Sequence, residues 1–257
     1  MMSKSRPPIK GSNMIIGRNP VEEALESDLE MDKVFLQVGT RGEFEKLIRK
    51  ACQKKNIPLV VVPKEKLNSF FRGNHQGVIA VASLITYQKL EDILPQAYEQ
   101  SNHPLFILLD GITDVRNFGA IARSAEAFGA HAMVIAKKGG TLITEDAIKA
   151  SAGALLRLPV CREQSMSQAV EYLQDSGVSI YCADLSATHP LDQVDFNMPV
   201  AIVMGAEGRG VNPDLLNQIK QRFIIPQIGQ TESLNVSVAT GIILYEINRQ
   251  RHLSITQ

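Results

Sequence analysis

The chain has no tryptophan, only three cysteines and no excess of either charge, its 27 basic side chains being matched by 27 acidic ones. Each shortage excludes something. Without Trp, base stacking would fall to Phe70, Phe71 or Tyr87, a thin supply for a protein that reads single strands mainly by stacking. Cys52, Cys161 and Cys182 are few, far apart and odd in number, which argues against a disulfide framework and suits a reducing cytoplasm. No apolar run approaches the ~20 residues of a membrane span, and none follows the basic Met1–Gly11 stretch, so neither a membrane anchor nor a secretory signal is read. The five histidines (His75, His103, His131, His189, His252) form no helical pair, and there is no Cys-x-x-Cys, so no metal site is expected. A Gly-x-Ser-x-Gly elbow, a Walker loop and a helix-opening Gly-x-Gly-x-x-Gly are all missing. That sets aside serine hydrolases, P-loop enzymes and dinucleotide-dependent oxidoreductases.

What is present is a normal apolar share, 44% of 257 residues, enough for a real core. The charge is unevenly spread. Residues 1–89 hold 15 Lys/Arg against 9 Asp/Glu, a balance of +6, and residues 90–257 hold 12 against 18, a balance of −6. A basic half suited to phosphate and a second half with another task is the reading.

Residues 1–12 read as a disordered basic tail. A small α/β unit follows over 13–88. Asn19 is expected to cap a helix with Pro20 at its first position and Glu22 completing a capping box. Strands are expected at Val34–Val38, Pro58–Val62 and Val78–Ala82, with a helix over Glu43–Lys55 burying Phe44, Leu47, Ile48 and Ala51. A linking helix through Leu90–Gln100 occupies 89–103. Over 104–257 short all-apolar strands alternate with helices, the pattern of a mostly parallel sheet covered on both faces. Strands are expected at Leu105–Leu109, Ala132–Ala136, Val178–Cys182, Val200–Met204 and Phe223–Ile225.

Ligands of open α/β sheets sit beyond the carboxyl ends of the strands. Three strands here run into loops rich in glycine and polar side chains: Asp110 to Gly119, Gly205 to Gly210, and Pro226 to Asn235. Taken singly each could be a turn or a cap; all three at strand ends point to one site. Arg123 lies off the apolar stripe of its helix (Phe118, Ile121, Ala122, Ala125, Phe128) and should lean back over Gly119, toward Asn117.

In this order the three loops resemble the signature motifs of the SpoU (TrmH-like) family of RNA 2′-O-methyltransferases. The matching stretches are Asn117-Phe118-Gly119 to Ala125, Met204-Gly205-Ala206-Glu207-Gly208-Arg209-Gly210, and Ile225-Pro226 with Ser233-Leu234-Asn235 to Ala239. Gly17-Arg18-Asn19-Pro20-Val21-Glu22 and Asn74-His75-Gln76-Gly77-Val78 are similar to the family's substrate-binding domain. The resemblance implies an α/β protein in which an L30e-like domain precedes a SPOUT domain with a trefoil knot. It implies S-adenosylmethionine as cofactor, held mainly through backbone groups of Gly205, Ile225 and Leu234, and it maps the family's catalytic candidates onto Asn117, Arg123, Glu207, Ser233 and Asn235. Arginine keeps its charge at any ordinary pH, so an electrostatic role is expected for Arg123, with the amides and Ser233 orienting the ribose.

The expected partner is RNA. The resemblance points to Arg18, Asn19 and His75 as its contacts, and the charge pattern adds Lys50, Lys54 and Lys55 on one helix. Length, front domain and the Asn74–Gly77 segment are similar to the subgroup acting on a guanosine of bacterial 23S rRNA; a tRNA enzyme and a non-catalytic RNA-binding factor are the alternatives. The family works as a homodimer. The last helix agrees independently, since Val236, Val238, Ala239, Ile242, Ile243, Leu244, Tyr245 and Ile247 leave it apolar nearly all round.

Overall fold

The computed structural model describes residues 13–137, 142–231 and 233–253; the expected basic tail, 1–12, lies outside them. The chain forms two compact units, one of residues up to Thr86 with Ile143–Glu145, the other of the remainder.

The first unit runs β1 (Met14–Ile16), α1 (Arg18–Glu26), β2 (Met31–Gln37), α2 (Glu43–Lys54), β3 (Leu59–Val62), α3 (Lys64–Phe70) and β4 (Val78–Ala82). Its sheet has the order β1-β4-β2-β3, antiparallel except between β2 and β3. Alternate residues of β2 and β4 serve two cores. Val34, Leu36, Val78 and Ala80 pack with α1 and α2, while Phe35, Ile79 and Val81 pack with Leu67 of α3. Two local expectations are corrected. Helix α1 begins at Arg18, with Gly17 at its cap (φ 96°) and no side-chain cap of its own. Instead the Oε1 of Gln76 accepts from Arg18 N at 2.8 Å, so a partner 58 residues away takes the place expected for Asn19. On α2 Ile48 and Cys52 are buried and Phe44 and Ala51 pack against the same core, whereas Leu47 is 40% exposed. The strand β1 and helix α3 were not foreseen.

The second unit continues with α4 (Leu90–Gln100), β5 (Leu105–Asp110), α5 (Val115–Ala127), β6 (Ala132–Ala136), α6 (Glu145–Ala150), β7 (Val160–Glu163), α7 (Met166–Asp175), β8 (Ser179–Ala183), β9 (Val200–Gly205), α8 (Pro213–Leu216), β10 (Gln221–Phe223) and α9 (Val236–Leu253). All six strands are parallel in the order β10-β8-β9-β5-β6-β7. The all-apolar strands are what a sheet covered on both faces requires. Phe106, Leu108, Ala201 and Val203 face a core that includes Leu90, Ile93, Leu94 and Ala97 of α4 and Val170 and Leu173 of α7. Helix α4, expected as a linker, is therefore part of this unit, because its apolar stripe is buried there. Period-two alternation turns Leu105, Ile107 and Leu109 to the opposite face, where α5 contacts β6 and α9 contacts β9.

Helices α5 and α9 run side by side in step. Asn117 meets Asn235 at 3.1 Å, a Cβ on Gly241 would lie 3.8 Å from Ser124 Oγ, and the rings of Phe128 and Tyr245 stand 6.4 Å apart, edge to face. All three cysteines are buried. Burial pushes the thiols of Cys161 and Cys182 up to about 12 and about 11, which makes them inert packing groups. Among the described residues no helix is long and apolar enough to cross a membrane.

Candidate functional site

Asp110, at the end of β5, opens the first loop. Its Oδ2 accepts from Asn212 N at 2.6 Å, pinning the exit of the Gly205–Gly210 loop to the neighbouring strand. Asp114 caps α5 by accepting from the backbone N–H of Arg116 and Asn117. With that duty taken, the Asn117 side chain is released from its own backbone.

The Gly205–Gly210 loop closes on itself. Ala206 N donates to Gly210 O at 3.1 Å and Gly210 N to Ala206 O at 2.8 Å, with Gly208 and Gly210 at φ 76° and 68°. A Cβ on Gly205 would sit 2.1 Å from Gly210 C and 2.2 Å from Val211 N, so only glycine permits this closure. The turn presents Glu207.

The third loop delivers Asn235. Its Oδ1 accepts from Ser237 N at 2.9 Å and from Ser237 Oγ, the bonding of an N-cap for α9. Its Nδ2 therefore faces away from the helix, and it donates to Glu207 Oε1 at 2.6 Å and to Asn117 Oδ1 at 3.1 Å. Asn117 Nδ2 also donates to Glu207 Oε1, at 3.1 Å. An ionised carboxylate only accepts, so Glu207 fixes the orientation of both amides. Residues 90 and 118 positions apart thus meet in one triangle.

Beside the triangle lies a cleft of about 420 Å³ bordered by Gly205, Glu207, Ile225, Ser233 and Leu234. That volume is in the range for small-molecule sites. Its walls are mostly apolar, with Met204, Val211, Leu216, Ile224 and Val236 among them, and Asp184, Arg209 and Gln227 add polar groups. Among the described residues, no backbone N–H or C=O from Ile225 to Leu234 bonds to another backbone group. In this mostly exposed loop those groups can pair with water or with a bound ligand. Glu232 lies outside the described residues. Ala183, Asp184 and Leu185 also border the cleft and escaped the sequence reading. The strand-end rule, applied to β8 as to β5 and β9, finds them.

Arg123 stands apart. It is exposed on α5, and among the described residues it forms no hydrogen bond, ion pair or cation–π contact. The expectation that Gly119 clears a path for it is corrected. A Cβ on Gly119 would lie 2.6 Å from Ala150 Cβ and 2.8 Å from Ala147 O, so glycine is needed there for the close approach of α6.

In the first unit the expected RNA contacts divide. Arg18, Asn19 and His75 border one broad cleft with Gln37, Thr40, Arg41, Lys64 and Asn74. His75 itself is only 4% exposed. Its Nδ1 accepts from Gly77 N at 3.0 Å, which leaves the proton on Nε2, 3.1 Å from Asn68 Oδ1. Both ring nitrogens are spent on shaping the loop. Lys50, Lys54 and Lys55 lie elsewhere, exposed toward the far end of α2, with Lys55 Nζ donating to Ser27 O.

Comparison with known proteins accounts for both units. Residues 104–245 match the SpoU rRNA methylase family, and residues 14–88 match the RNA 2′-O ribose methyltransferase substrate-binding family. The Bacillus subtilis protein YacO, assigned by name to the TrmH family of tRNA/rRNA methyltransferases, is 35% identical over 93% of this chain and 96% of its own. A Staphylococcus epidermidis protein assigned to the same family is 32% identical, with the same shares of each chain covered. A crystal structure of an RNA 2′-O ribose methyltransferase superposes with a TM-score of 0.55 at 27% identity, covering 93% of this chain and 88% of that one. The methyltransferase AviRb of Streptomyces viridochromogenes, solved with AdoMet, shares the fold with a TM-score of 0.59 at 22% identity over 93% and 90%. Two modules in that order, matched at that identity along nearly their whole length, make this chain a member of the SpoU rRNA methylase family.

Proposed function

We propose that the chain transfers a methyl group from S-adenosylmethionine to a ribose 2′-hydroxyl of RNA, that the RNA is 23S rRNA, and that the target is a guanosine. The observation that carries the reaction is the Asn117–Glu207–Asn235 triangle beside the Gly205–Leu234 cleft. The cofactor, when bound, supplies an electrophilic methyl on a sulfonium. The cleft fits it: apolar walls suit its body, and unpaired backbone groups of the third loop suit an adenine edge. A trefoil knot through these loops is part of the proposal.

The hydroxyl is a poor nucleophile and must lose its proton at or near the transition state. Glu207 has one oxygen committed to the two amides, and its second, without a partner among the described residues, is available to accept from that hydroxyl. Asn117 and Asn235 hold the carboxylate, and Ser233 adds a hydroxyl at the cleft edge; their work is orientation. Arg123 supplies fixed positive charge for the forming alkoxide or the adjoining phosphate. Nucleoside mass spectrometry of rRNA and tRNA from cells lacking the chain decides the RNA class. Loss of one 2′-O-methylguanosine from 23S rRNA is expected; loss from tRNA alone would overturn that assignment.

The working form is proposed to be a homodimer built on α9. Val238, Ile242 and Tyr245 are 51%, 37% and 59% exposed; at spacings of four and three they form one stripe. A second copy of the chain is its proposed cover. Ile243 is no part of it, being fully buried within the chain, so a charge there would test folding instead. Ile242→Asp is expected to give a folded monomer by light scattering and circular dichroism, with turnover lost; a fully active monomer would rule the dimer out.

A further inference from the structure

We propose that the cleft of the first unit holds one unpaired nucleotide of the RNA, its base stacked on the guanidinium of Arg18 and its phosphate on Arg41 and Lys64. This rests on the RNA methyltransferase reading and names the element of RNA that the first unit grips. The cleft, about 1030 Å³, is bordered by three cations and no carboxylate, with amides such as Asn19 and Asn74 between them. Among the described residues neither Arg41 nor Lys64 forms an ion pair, so both charges are available.

Arg18 is the organised member. Its Nε donates to Gln76 O at 3.3 Å, and its guanidinium lies over the Phe44 ring, 4.6 Å from the centroid. One bond and one ring fix the plane, while the side chain stays exposed. A guanidinium plane is a platform on which splayed-out RNA bases stack. Two of the three aromatic alternatives are engaged elsewhere, and the third, Phe71, is exposed but does not border this cleft. Phe70 packs 4.8 Å from Phe35, and Tyr87 is covered by Arg162 at 3.9 Å. A chain without Trp thus obtains its stacking surface from an arginine backed by phenylalanine. The amides along the rim can read the Watson–Crick edge of a base, which only an unpaired base exposes.

The test is a fluorescence-anisotropy titration of the full chain with a short unstructured RNA and with the same strand annealed to its complement. Tighter binding of the single strand is expected. Arg18→Ala should weaken that binding by about tenfold or more, the usual loss for one stacked base. Arg18→Lys should recover little affinity while keeping the salt dependence, since an ammonium preserves the charge and not the plane. Phe44→Leu should weaken binding without altering charge. Arg41→Ala with Lys64→Ala should lower the slope of log affinity against log salt by about 0.7, the value for one phosphate of a single strand. Wild-type affinity in Arg18→Lys, or equal binding of strand and duplex, overturns the proposal. If wild-type protein still methylates RNA in that case, only the proposal falls. Absence of methyl transfer by wild-type protein would strike the reading beneath it.

Discussion

Arg123→Ala is expected to lower turnover by about a hundredfold or more while leaving S-adenosylmethionine affinity unchanged. The magnitude is the usual loss for one donor that faces developing charge in the transition state. The selectivity follows from placement. Arg123 is absent from the Gly205–Leu234 cleft and bonds to nothing among the described residues, so its removal disturbs no cofactor wall. Arg123→Lys should rescue poorly, because an ammonium lacks the planar fork. Its exposure, together with its failure to bond to the triangle of its own chain, fits action across the proposed dimer. Subunit mixing tests this. Chains carrying Arg123→Ala and chains carrying Asn235→Ala should each be nearly inactive. Reassorted in equal amounts they should regain about a quarter of wild-type activity, since half the dimers are mixed and each of those has one intact site. No recovery would place Arg123 in the site of its own chain. Near-wild-type turnover of Arg123→Ala at saturating RNA would remove it from the reaction.

Gly205→Ala should abolish methyl transfer through the cofactor side. A Cβ there would stand 2.1 Å from the Gly210 carbonyl carbon and 2.5 Å from its oxygen, and both are backbone atoms that cannot swing away. The loop must open by an ångström or more, and displacements of that size cost about a hundredfold. Calorimetry should show S-adenosylmethionine affinity falling, with turnover following, whereas Arg123→Ala shows the reverse split. Because Glu207 sits on the same turn, its bonds to Asn117 and Asn235 should fail together with the cleft. Unchanged cofactor affinity in a folded Gly205→Ala protein would mean the cleft is not the cofactor site.

The second unit was the more legible of the two. Its strands are all-apolar runs broken by helices, and five of its six were expected within a few residues; β7 escaped because Val160–Glu163 is short and half polar. In the first unit β1 has only three residues, and α3 buries only Leu67, so neither shows a period. The misassigned helix cap has a different cause. Asn19 is a good local cap, but Gln76 and the positive φ of Gly17 move the helix start two residues earlier, a tertiary effect that no local pattern carries. His75 shows the same limit: its bonds to Asn68 and Gly77 brace the loop, and no local pattern marks them. On α9 the sequence marks an apolar helix without telling Ile242 from Ile243, which point to opposite environments. The triangle was visible only as three strand-end loops and a family pattern. That Glu207 orients both amides depends on residues 90 and 28 positions away and is a property of the fold.

The most direct measurement uses purified chain, methyl-labelled S-adenosylmethionine and ribosomal RNA lacking the modification, followed by alkaline digestion. Alkali cleaves RNA through attack by a free 2′-hydroxyl, so a 2′-O-methyl group protects the linkage beside it. The label should appear in alkali-resistant dinucleotides, and it should vanish with Arg123→Ala and with Gly205→Ala. Label released in ordinary mononucleotides would put the methyl on a base, and that result, or no transfer to any RNA, would contradict the account.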